Sequence, residues 1–572
     1  MSLQEITDTL VSLKSDEIVD LVKTELKSGA DPREVLKALT VGMDKVGKLF
    51  EKTLGLPYTE DVELMTNAAR QTLRQVFLDA PMGISGVNFG VAETGTLCVV
   101  TNEGNGRMVT TLPRTHVALM GLERIVPTLD DLALMLSLLP RSATGQKLSV
   151  YTSLLNSPRR PDDPDGPQER HLILVDNGRM AVRASALREI LYCIRCGSCL
   201  NACPVFREIG GHAYVDMKGK GSPYPGPIGS VISPALFGQA NYGHLARASS
   251  LCGACREACP VDIDLPKLLL RVRAGIQTNA TFKEQRANAP AALAIGLGLF
   301  TLAASSSRRF AAAQWLAGLF GSITTLFSKG DPWIKLPALS GWGFSKDFPS
   351  PAGRSFRSRY KKQPASVLPD LPQPISSEIN QIERRSQPEP VIPAVGNLME
   401  SFAVELEKIG GKFISCRADE GSQKILEILH ANGIGEILSW EADHLPEGLL
   451  KELLASGIQV NRVGEKTMQE NCLIRAGITG ATAAIAETGT LLILGGVGQP
   501  LTASLLPEIH IAVVREKDIF RNLTQVISMD AVKQASAGVL VSGPSRTADI
   551  EMTLTIGVHG PGKLHVICIK ED

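Results

Sequence analysis

The chain has 572 residues, enough for three or four domains, and its 59 basic residues balance 59 acidic ones. A formal net charge of zero gives no electrostatic case for nucleic acid or for an anionic membrane surface as a partner. Of the eleven cysteines, seven crowd between residues 193 and 259, which is no disulfide framework and suits a reducing compartment. The other four, Cys98, Cys416, Cys472 and Cys568, lie in apolar runs and read as buried small hydrophobes.

Residues 1–53 read as a helical lead-in. Ile18, Leu21, Val22 and Leu26 fall at helical spacing, and Gly29 with Asp31-Pro32 breaks and restarts the pattern. The opening MSLQEITDTL has no basic n-region and no apolar h-region, so a secretory signal is not expected and the expected location is cytoplasmic. The run from Ile18 to Phe50 resembles the helical cap of cobalamin-binding methyltransferase domains. Those domains continue into a D-x-H-x-x-G loop that this sequence lacks, so a lead-in without cofactor is favoured.

Residues 54–182 follow an α/β pattern. A helix is expected from Val62 to Leu78, ahead of Gly83-Ile-Ser-Gly86 and Val91-Ala-Glu93-Thr-Gly-Thr-Leu97. Leu97–Val100 reads as a short buried strand and His116–Met120 as a second. This block returns as Gly477-Ile-Thr-Gly480 and Ile485-Ala-Glu487-Thr-Gly-Thr-Leu491, displaced by 394 residues. The same displacement takes Pro113 to Pro507, His116 to His510, Gly166-Pro167 to Gly560-Pro561, and His171 to His565. One displacement held over that length marks an internal repeat.

Between the copies, residues 183–285 carry Cys193-Ile-Arg-Cys196-Gly-Ser-Cys199-Leu-Asn-Ala-Cys203-Pro204 and Cys252-Gly-Ala-Cys255-Arg-Glu-Ala-Cys259-Pro260. Three thiolates at three-residue spacing wrap one face of an iron-sulfur cube, and the cysteine before proline turns away to the other cluster. The expected ligands are therefore Cys193, Cys196, Cys199 and Cys259 for one 4Fe-4S cluster. Cys203, Cys252 and Cys255 are expected at three corners of a second. The position three before Cys252 is Ser249. A serine oxygen, another oxygen or nitrogen ligand, or an open iron completes that set. Structural zinc is the alternative, but it takes well-separated C-x2-C pairs rather than this tight C-P pattern.

Beyond the cysteines, residues 286–364 contain two apolar runs, Ala289–Ala304 and Phe310–Phe327, divided by Arg308-Arg309. The first is short of a bilayer span, so buried or partner-docking helices are expected, with peripheral membrane contact as the alternative. Residues 365–395, rich in proline and polar residues, read as a linker. A last α/β domain fills 396–572, starting with an amphipathic helix at Leu398–Ile409.

Together these motifs carry a family resemblance. Residues 44–364 resemble the iron-sulfur subunit of the bacterial L-lactate utilization system. The matching stretches are Gly83-Ile-Ser-Gly-Val-Asn-Phe, Thr101-Asn-Glu-Gly-Asn-Gly-Arg107, Gly210-Gly-His-Ala-Tyr, Tyr224-Pro-Gly-Pro-Ile-Gly229 and Ser250-Leu-Cys-Gly-Ala-Cys255. Residues from 392 onward resemble the small companion subunit, in Ala486-Glu-Thr-Gly-Thr-Leu, Ser504-Leu-Leu-Pro-Glu-Ile-His510, Ser542-Gly-Pro-Ser-Arg-Thr-Ala-Asp-Ile-Glu551 and Gly557-Val-His-Gly-Pro-Gly562. The chain thus looks like a fusion of two subunits. The resemblance implies two LUD domains, α/β folds similar to sugar-phosphate isomerases and CoA transferases, flanking an α-helical dicluster ferredoxin-like domain. The first LUD domain departs from the family in its N-terminal half, so its sheet is expected to be incomplete. Val215–Pro223 looks like an insertion.

Glu93 and Glu487 stand between small residues just before a strand. Each can act as base or nucleophile, or accept hydrogen bonds within its own turn, and the turn role is favoured. His116 and His510 open strands, and a hydrogen-bonded core role is favoured over catalysis. Arg107, Arg546 and the Ser542-Gly-Pro-Ser-Arg loop are candidate carboxylate or phosphate clamps, with solvated loop residues an equal alternative. No dinucleotide or flavin fingerprint is present.

The resemblance implies an iron-sulfur electron-transfer component of a system oxidising L-lactate to pyruvate. It also implies a cysteine-rich partner subunit with Cys-Cys-Gly segments and an unspecified electron acceptor. The alternatives are a cluster-bearing scaffold or redox sensor, and a CoA-transferase-like enzyme with structural clusters.

Overall fold

The computed structural model describes residues 42–59, 61–275, 291–327, a few positions between 333 and 360, 397–547 and 554–570. The helical spacing around Ile18–Leu26 and the linker at 365–395 lie outside them. The chain divides into two units, one made of residues 1–176 with 393–572 and the other of 177–392.

In the first unit, helices Gly42–Leu54 and Val62–Asp79 precede the first copy of the repeat. Asp61 starts the second helix by accepting from the N–H groups of Glu63 and Leu64. The strands of this copy are β1 (Met82–Gly86), β2 (Phe89–Val91), β3 (Leu97–Thr101), β4 (Thr115–Gly121), β5 (Ile125–Val126), β6 (Tyr151–Leu155) and β7 (Glu169–Val175). The second copy supplies β8 (Lys412–Cys416), β9 (Glu436–Ser439), β10 (Gln459–Asn461), β11 (Ala476–Gly480), β12 (Ala483–Ile485), β13 (Thr490–Leu494), β14 (Ile509–Arg515), β15 (Ile519–Phe520), β16 (Ala537–Val541) and β17 (Lys563–Ile569).

The two copies share one eight-stranded sheet in the order β15-β12-β13-β16-β6-β3-β2-β5. The order is a palindrome about β16 and β6, which run antiparallel with Val539 opposite Ser153. Cys98, Leu154, Leu492 and Leu540 from the two halves lie in one buried cluster with Leu132 and Leu136 of helix Leu129–Thr144. The repeat is therefore also the unit's symmetry. Two segments far apart in sequence close a core that neither half contains alone.

Each copy also has a parallel sheet of its own, and here the copies differ. The second has six strands, β8-β17-β14-β11-β9-β10, whereas the first has three, β1-β4-β7. Without counterparts of β8 and β9 among the described residues, β1 and β7 are edges that expose Ile84, Leu172, Ile173 and Leu174. In the second copy Trp440 follows β9, is 2% exposed and donates its Nε1 proton to Pro500 O. A Cβ on Gly480 would meet that indole at 3.1 Å, while one on the equivalent Gly86 would meet nothing within 4 Å. Beside Gly86 there is instead an open cleft of about 560 Å³ lined by Phe77, Ile84, Ser85, Asn88, Thr101 and Asn105.

In the second unit, short helices pack Ile190, Val231, Ile263, Leu268 and Val272 into a core beneath the cysteines. Val215 bridges to Gly221 across a tight turn, inside the stretch that looks like an insertion. The apolar runs form helices Ala291–Ala304 and Ser307–Phe327, which pack on each other. They are not buried as one alternative expected: Ile295, Phe300, Trp315 and Phe320 are all exposed, with Trp315 at 68%. Among the described residues, no helix is long and apolar enough to cross a membrane.

Candidate iron-sulfur site

A 3-10 helix, Arg188–Tyr192, ends at Cys193, whose backbone is extended. Arg195 and Gly197 then adopt left-handed conformations, with φ of 61° and 78°. These fold the chain back so that the N–H of Arg195 donates to Cys193 Sγ at 3.3 Å. Helix Ser198–Ala202 carries Cys199 inward and stops at Cys203, because the residue before a proline is pushed to extended geometry. Pro204 opens the next helix, Pro204–Ile209, and the N–H of Phe206 donates to Cys203 Sγ at 3.5 Å. At the second motif the N–H of Ile263 donates to Cys259 Sγ at 3.4 Å. Glu189 accepts from Asp264 N at 2.7 Å, tying the entrance of the first motif to the exit of the second.

The sulfurs of the two motifs lie close enough to influence one another. Cys193 interacts electrostatically with Cys196 and Cys259, and Cys199 with Cys193, Cys196 and Cys255. Cys255 in turn interacts with Cys203 and Cys252. Burial pushes the thiols of Cys193, Cys199 and Cys255 up, Cys199 to about 11. Hydrogen bonds hold Cys196 and Cys252 down, chiefly from Ser198 to the first and from Ala254 to the second. A metal group that demands thiolate offsets the burial of the first three. Among the described residues no three His, Cys, Asp or Glu side chains could hold a single metal ion. A cube presents four separate irons, so its cysteines need not converge on one point.

Sequence reasoning did not assign a task to Tyr224-Pro-Gly-Pro-Ile-Gly229. In the structure it starts helix Gly226–Phe237, and the N–H of Ile228 points at the Cys199 sulfur. A thiolate at that position gains both a hydrogen bond and the positive end of the helix dipole. Gly229 is required, since a Cβ there would lie 1.6 Å from Tyr224 O.

The candidate residues of the first unit have matching contacts in both copies. Glu93 N donates to Pro127 O and Glu487 N to Arg521 O, each in a turn just before β3 or β13. Their carboxylates accept from helix N-termini, Glu93 from Leu129 N at 3.4 Å and Glu487 from Leu523 N at 3.0 Å. His116 is fully buried, its Nε2 2.8 Å from Ser85 Oγ, and Arg170 Nε donates to its Nδ1 at 3.3 Å. His510 repeats the first of these contacts with Thr479 Oγ1 at 2.9 Å.

The LUD domain family model matches residues 7–175 and 399–569, together more than half of the chain. The chain belongs to the LUD-domain family. A 4Fe-4S dicluster domain matches residues 189–263, between the two LUD matches. The first LUD match begins inside the stretch read as a helical lead-in. Lactate utilization protein B of Bacillus pumilus (strain SAFR-032) is 42% identical over 329 residues, covering 58% of this chain and 66% of that protein. The uncharacterized electron transport protein YkgF of Escherichia coli (strain K12) is 43% identical over 356 residues, covering 60% and 70%. The chain thus spans about two thirds of the length of these relatives. A solved DUF162 family protein from Deinococcus radiodurans is 24% identical, covering 30% of this chain and 96% of its own, with a TM-score of 0.24.

In this LUD pair the candidate clamps serve the join between copies. Arg107 is 2% exposed, donates to Ser504 O, Leu501 O and Ser504 Oγ, and lies over the Tyr151 ring. Arg546 N donates to Asn102 O, and Ser545 Oγ donates to Glu103 O. Sequence reasoning missed Arg70 and Arg74, whose guanidinium groups reach Gly557 O, Gly560 O, Leu506 O and His559 O. Of the four scattered cysteines, Cys98, Cys416 and Cys568 are buried, but Cys472 is only partly so.

The LUD histidines make stability depend on pH. Burial first and Arg170 second hold His116 down at about 4, and burial and then Arg107 hold His510 at about 3, against an ordinary 6.5. Between 6.5 and about 4 the unfolded chain takes up protons that the folded one refuses. Stability is therefore full above 6.5 and falls as pH drops through that window, by on the order of 2–3 kcal/mol per histidine. Thermal unfolding followed across it should show the fall, and His510→Gln should shrink it. A flat wild-type profile would contradict the assignment.

Proposed function

We propose that this chain is an electron-transfer component of an L-lactate-oxidising system, accepting electrons released as L-lactate becomes pyruvate. The observation that carries the reading is that the seven cysteines fall within the stretch matched by a 4Fe-4S dicluster domain, with backbone N–H donors on Cys193, Cys203 and Cys259 and with Cys193 near Cys259 and Cys255 near Cys203. Cys193, Cys196, Cys199 and Cys259 are assigned to one 4Fe-4S cluster, and Cys203, Cys252 and Cys255 to a second. When bound, such clusters supply one-electron transfer at potentials set by sulfur hydrogen bonds and burial. The names of the relatives in Bacillus pumilus and Escherichia coli, one for lactate utilization and one for electron transport, support the reading.

Lactate releases two electrons in one oxidation, so the working unit is proposed to include the cysteine-rich Cys-Cys-Gly subunit. The exposed apolar pair of helices at 291–327 is the surface proposed to receive it. A cytoplasmic, reducing setting suits thiolate-held clusters.

Growth separates an electron carrier from a scaffold. In a host that needs this chain to grow on L-lactate, the wild type should restore growth, whereas Cys199→Ala should not, at equal protein level. Full growth with Cys199→Ala would favour the scaffold.

A further inference from the structure

The two cysteine motifs share one backbone template from Cys193 to Cys199 and from Ser249 to Cys255. Each begins with a 3-10 helix, Arg188–Tyr192 in the first and Gly243–Ala248 in the second. Each helix ends in an extended residue, Cys193 (φ −63°, ψ 117°) or Ser249 (φ −71°, ψ 135°). Two positions on, a non-glycine residue is left-handed: Arg195 at φ 61° and Leu251 at φ 56°. That conformation is unfavourable for a residue with a Cβ, yet it appears at the same step of both motifs. In each it turns the N–H back to the side chain two residues earlier. Arg195 N donates to Cys193 Sγ at 3.3 Å, and Leu251 N donates to Ser249 Oγ at 3.2 Å. A left-handed glycine follows Cys196 and Cys252, at Gly197 and Gly253, and then a short helix. That helix carries Cys199 in one motif and Cys255 in the other, 9% and 8% exposed.

On this template Ser249 stands where Cys193 stands. We propose that Ser249 Oγ is the fourth protein ligand of the second cluster, beside Cys203, Cys252 and Cys255. The proposal rests on the reading that this domain holds two clusters. Arg273 fixes the position from behind, its Nη2 donating to Ser249 O at 2.5 Å and its Nε to Ala246 O at 2.9 Å. Ligation forms an oxygen–iron bond, and the hydroxyl proton leaves to solvent; no electron moves. Two other polar groups of this domain compete for the role. Tyr214 is buried and interacts with Cys203, and His244 Nδ1 is buried without a hydrogen-bond partner.

A serine oxygen is a harder donor than thiolate and suits this iron less well. The corner should therefore hold iron better than no ligand and worse than cysteine. The full chain is reconstituted anaerobically with iron and sulfide as wild type, Ser249→Ala and Ser249→Cys. Iron per chain and low-temperature paramagnetic resonance are then followed before and after air. The proposal predicts retention in the order Ala, Ser, Cys. The alanine variant should lose one iron as Fe2+ before air is admitted, and should show the three-iron signal once one electron per cluster is removed anaerobically with ferricyanide. Wild type should show it only in air, and the cysteine variant should lose iron about tenfold more slowly than wild type, the scale on which metal-site changes act. Equal retention by alanine and serine overturns the assignment and moves the ligand to His244 or Tyr214. If the alanine variant does not fold, equal air stability of serine and cysteine overturns it as well. A complete lack of acid-labile sulfide in all three proteins overturns the two-cluster reading itself, a different failure.

Discussion

Cys259→Ala should alter the cluster whose other ligands are Cys193, Cys196 and Cys199, although Cys259 is more than fifty residues away in sequence. The cysteine before each proline cannot stay with its own motif. Cys203 caps one short helix and Cys259 lies just past the cap of another, each directly before a proline. In the folded chain Cys193 interacts with Cys259, and Cys255 with Cys203, as the proposed exchange of last members between the two motifs requires. Loss of a thiolate leaves that cluster with three cysteines. Metal affinity at the site should then fall on the scale of 10–100-fold or more. Paramagnetic resonance on the reduced protein should show this cluster lost or converted and the cluster of Cys252 and Cys255 retained. The reverse pattern would mean that each motif holds its own cube.

The second large effect is expected far from the cysteines. Arg107→Ala should destabilise the first unit by roughly 3–5 kcal/mol, the range for removing one partner from a buried charged network. The guanidinium joins the copies through Ser504 and Leu501, and its loss takes the donor from Ser504 O in the core, while Leu501 O keeps the Ser504 hydroxyl. It also removes the cation from the Tyr151 ring, 4.9 Å away. Arg107→Lys should recover part of the loss, because an ammonium keeps the charge but not the fork of donors. Denaturant unfolding monitored by the burial of Trp440 reads the effect, since Trp440 is enclosed in this unit while Trp315 and Trp333 are exposed. A change under about 1 kcal/mol would show that Arg107 is free to bind a ligand instead.

Much of this was legible in the sequence, for reasons that are local. The C-P spacing marks the stretch that the 4Fe-4S dicluster domain matches, and the 394-residue displacement maps β1, β4 and β7 onto β11, β14 and β17 one for one. The strands at Leu97 and His116 followed from short apolar runs bounded by glycine and proline. What the pattern did not reveal depends on partners distant in the chain. The pairing of β6 with β16 joins segments with nearly four hundred residues between them, and no local periodicity encodes it. Arg107 looked like a loop cation because its acceptors are backbone groups of the other copy. The Ile228 donor is a main-chain group, which a side-chain reading passes over. The template shared by Cys193 and Ser249 needed dihedral angles to be seen.

Lactate-dependent reduction is the most direct measurement of the proposed role. The full chain, purified anaerobically with the cysteine-rich subunit and carrying its clusters, is mixed with L-lactate and freeze-quenched for paramagnetic resonance. The expected result is reduction of the iron-sulfur signals on the timescale of pyruvate formation, lost with Cys199→Ala. Pyruvate formed at an unchanged rate while the clusters stay oxidised would contradict a role in electron transfer.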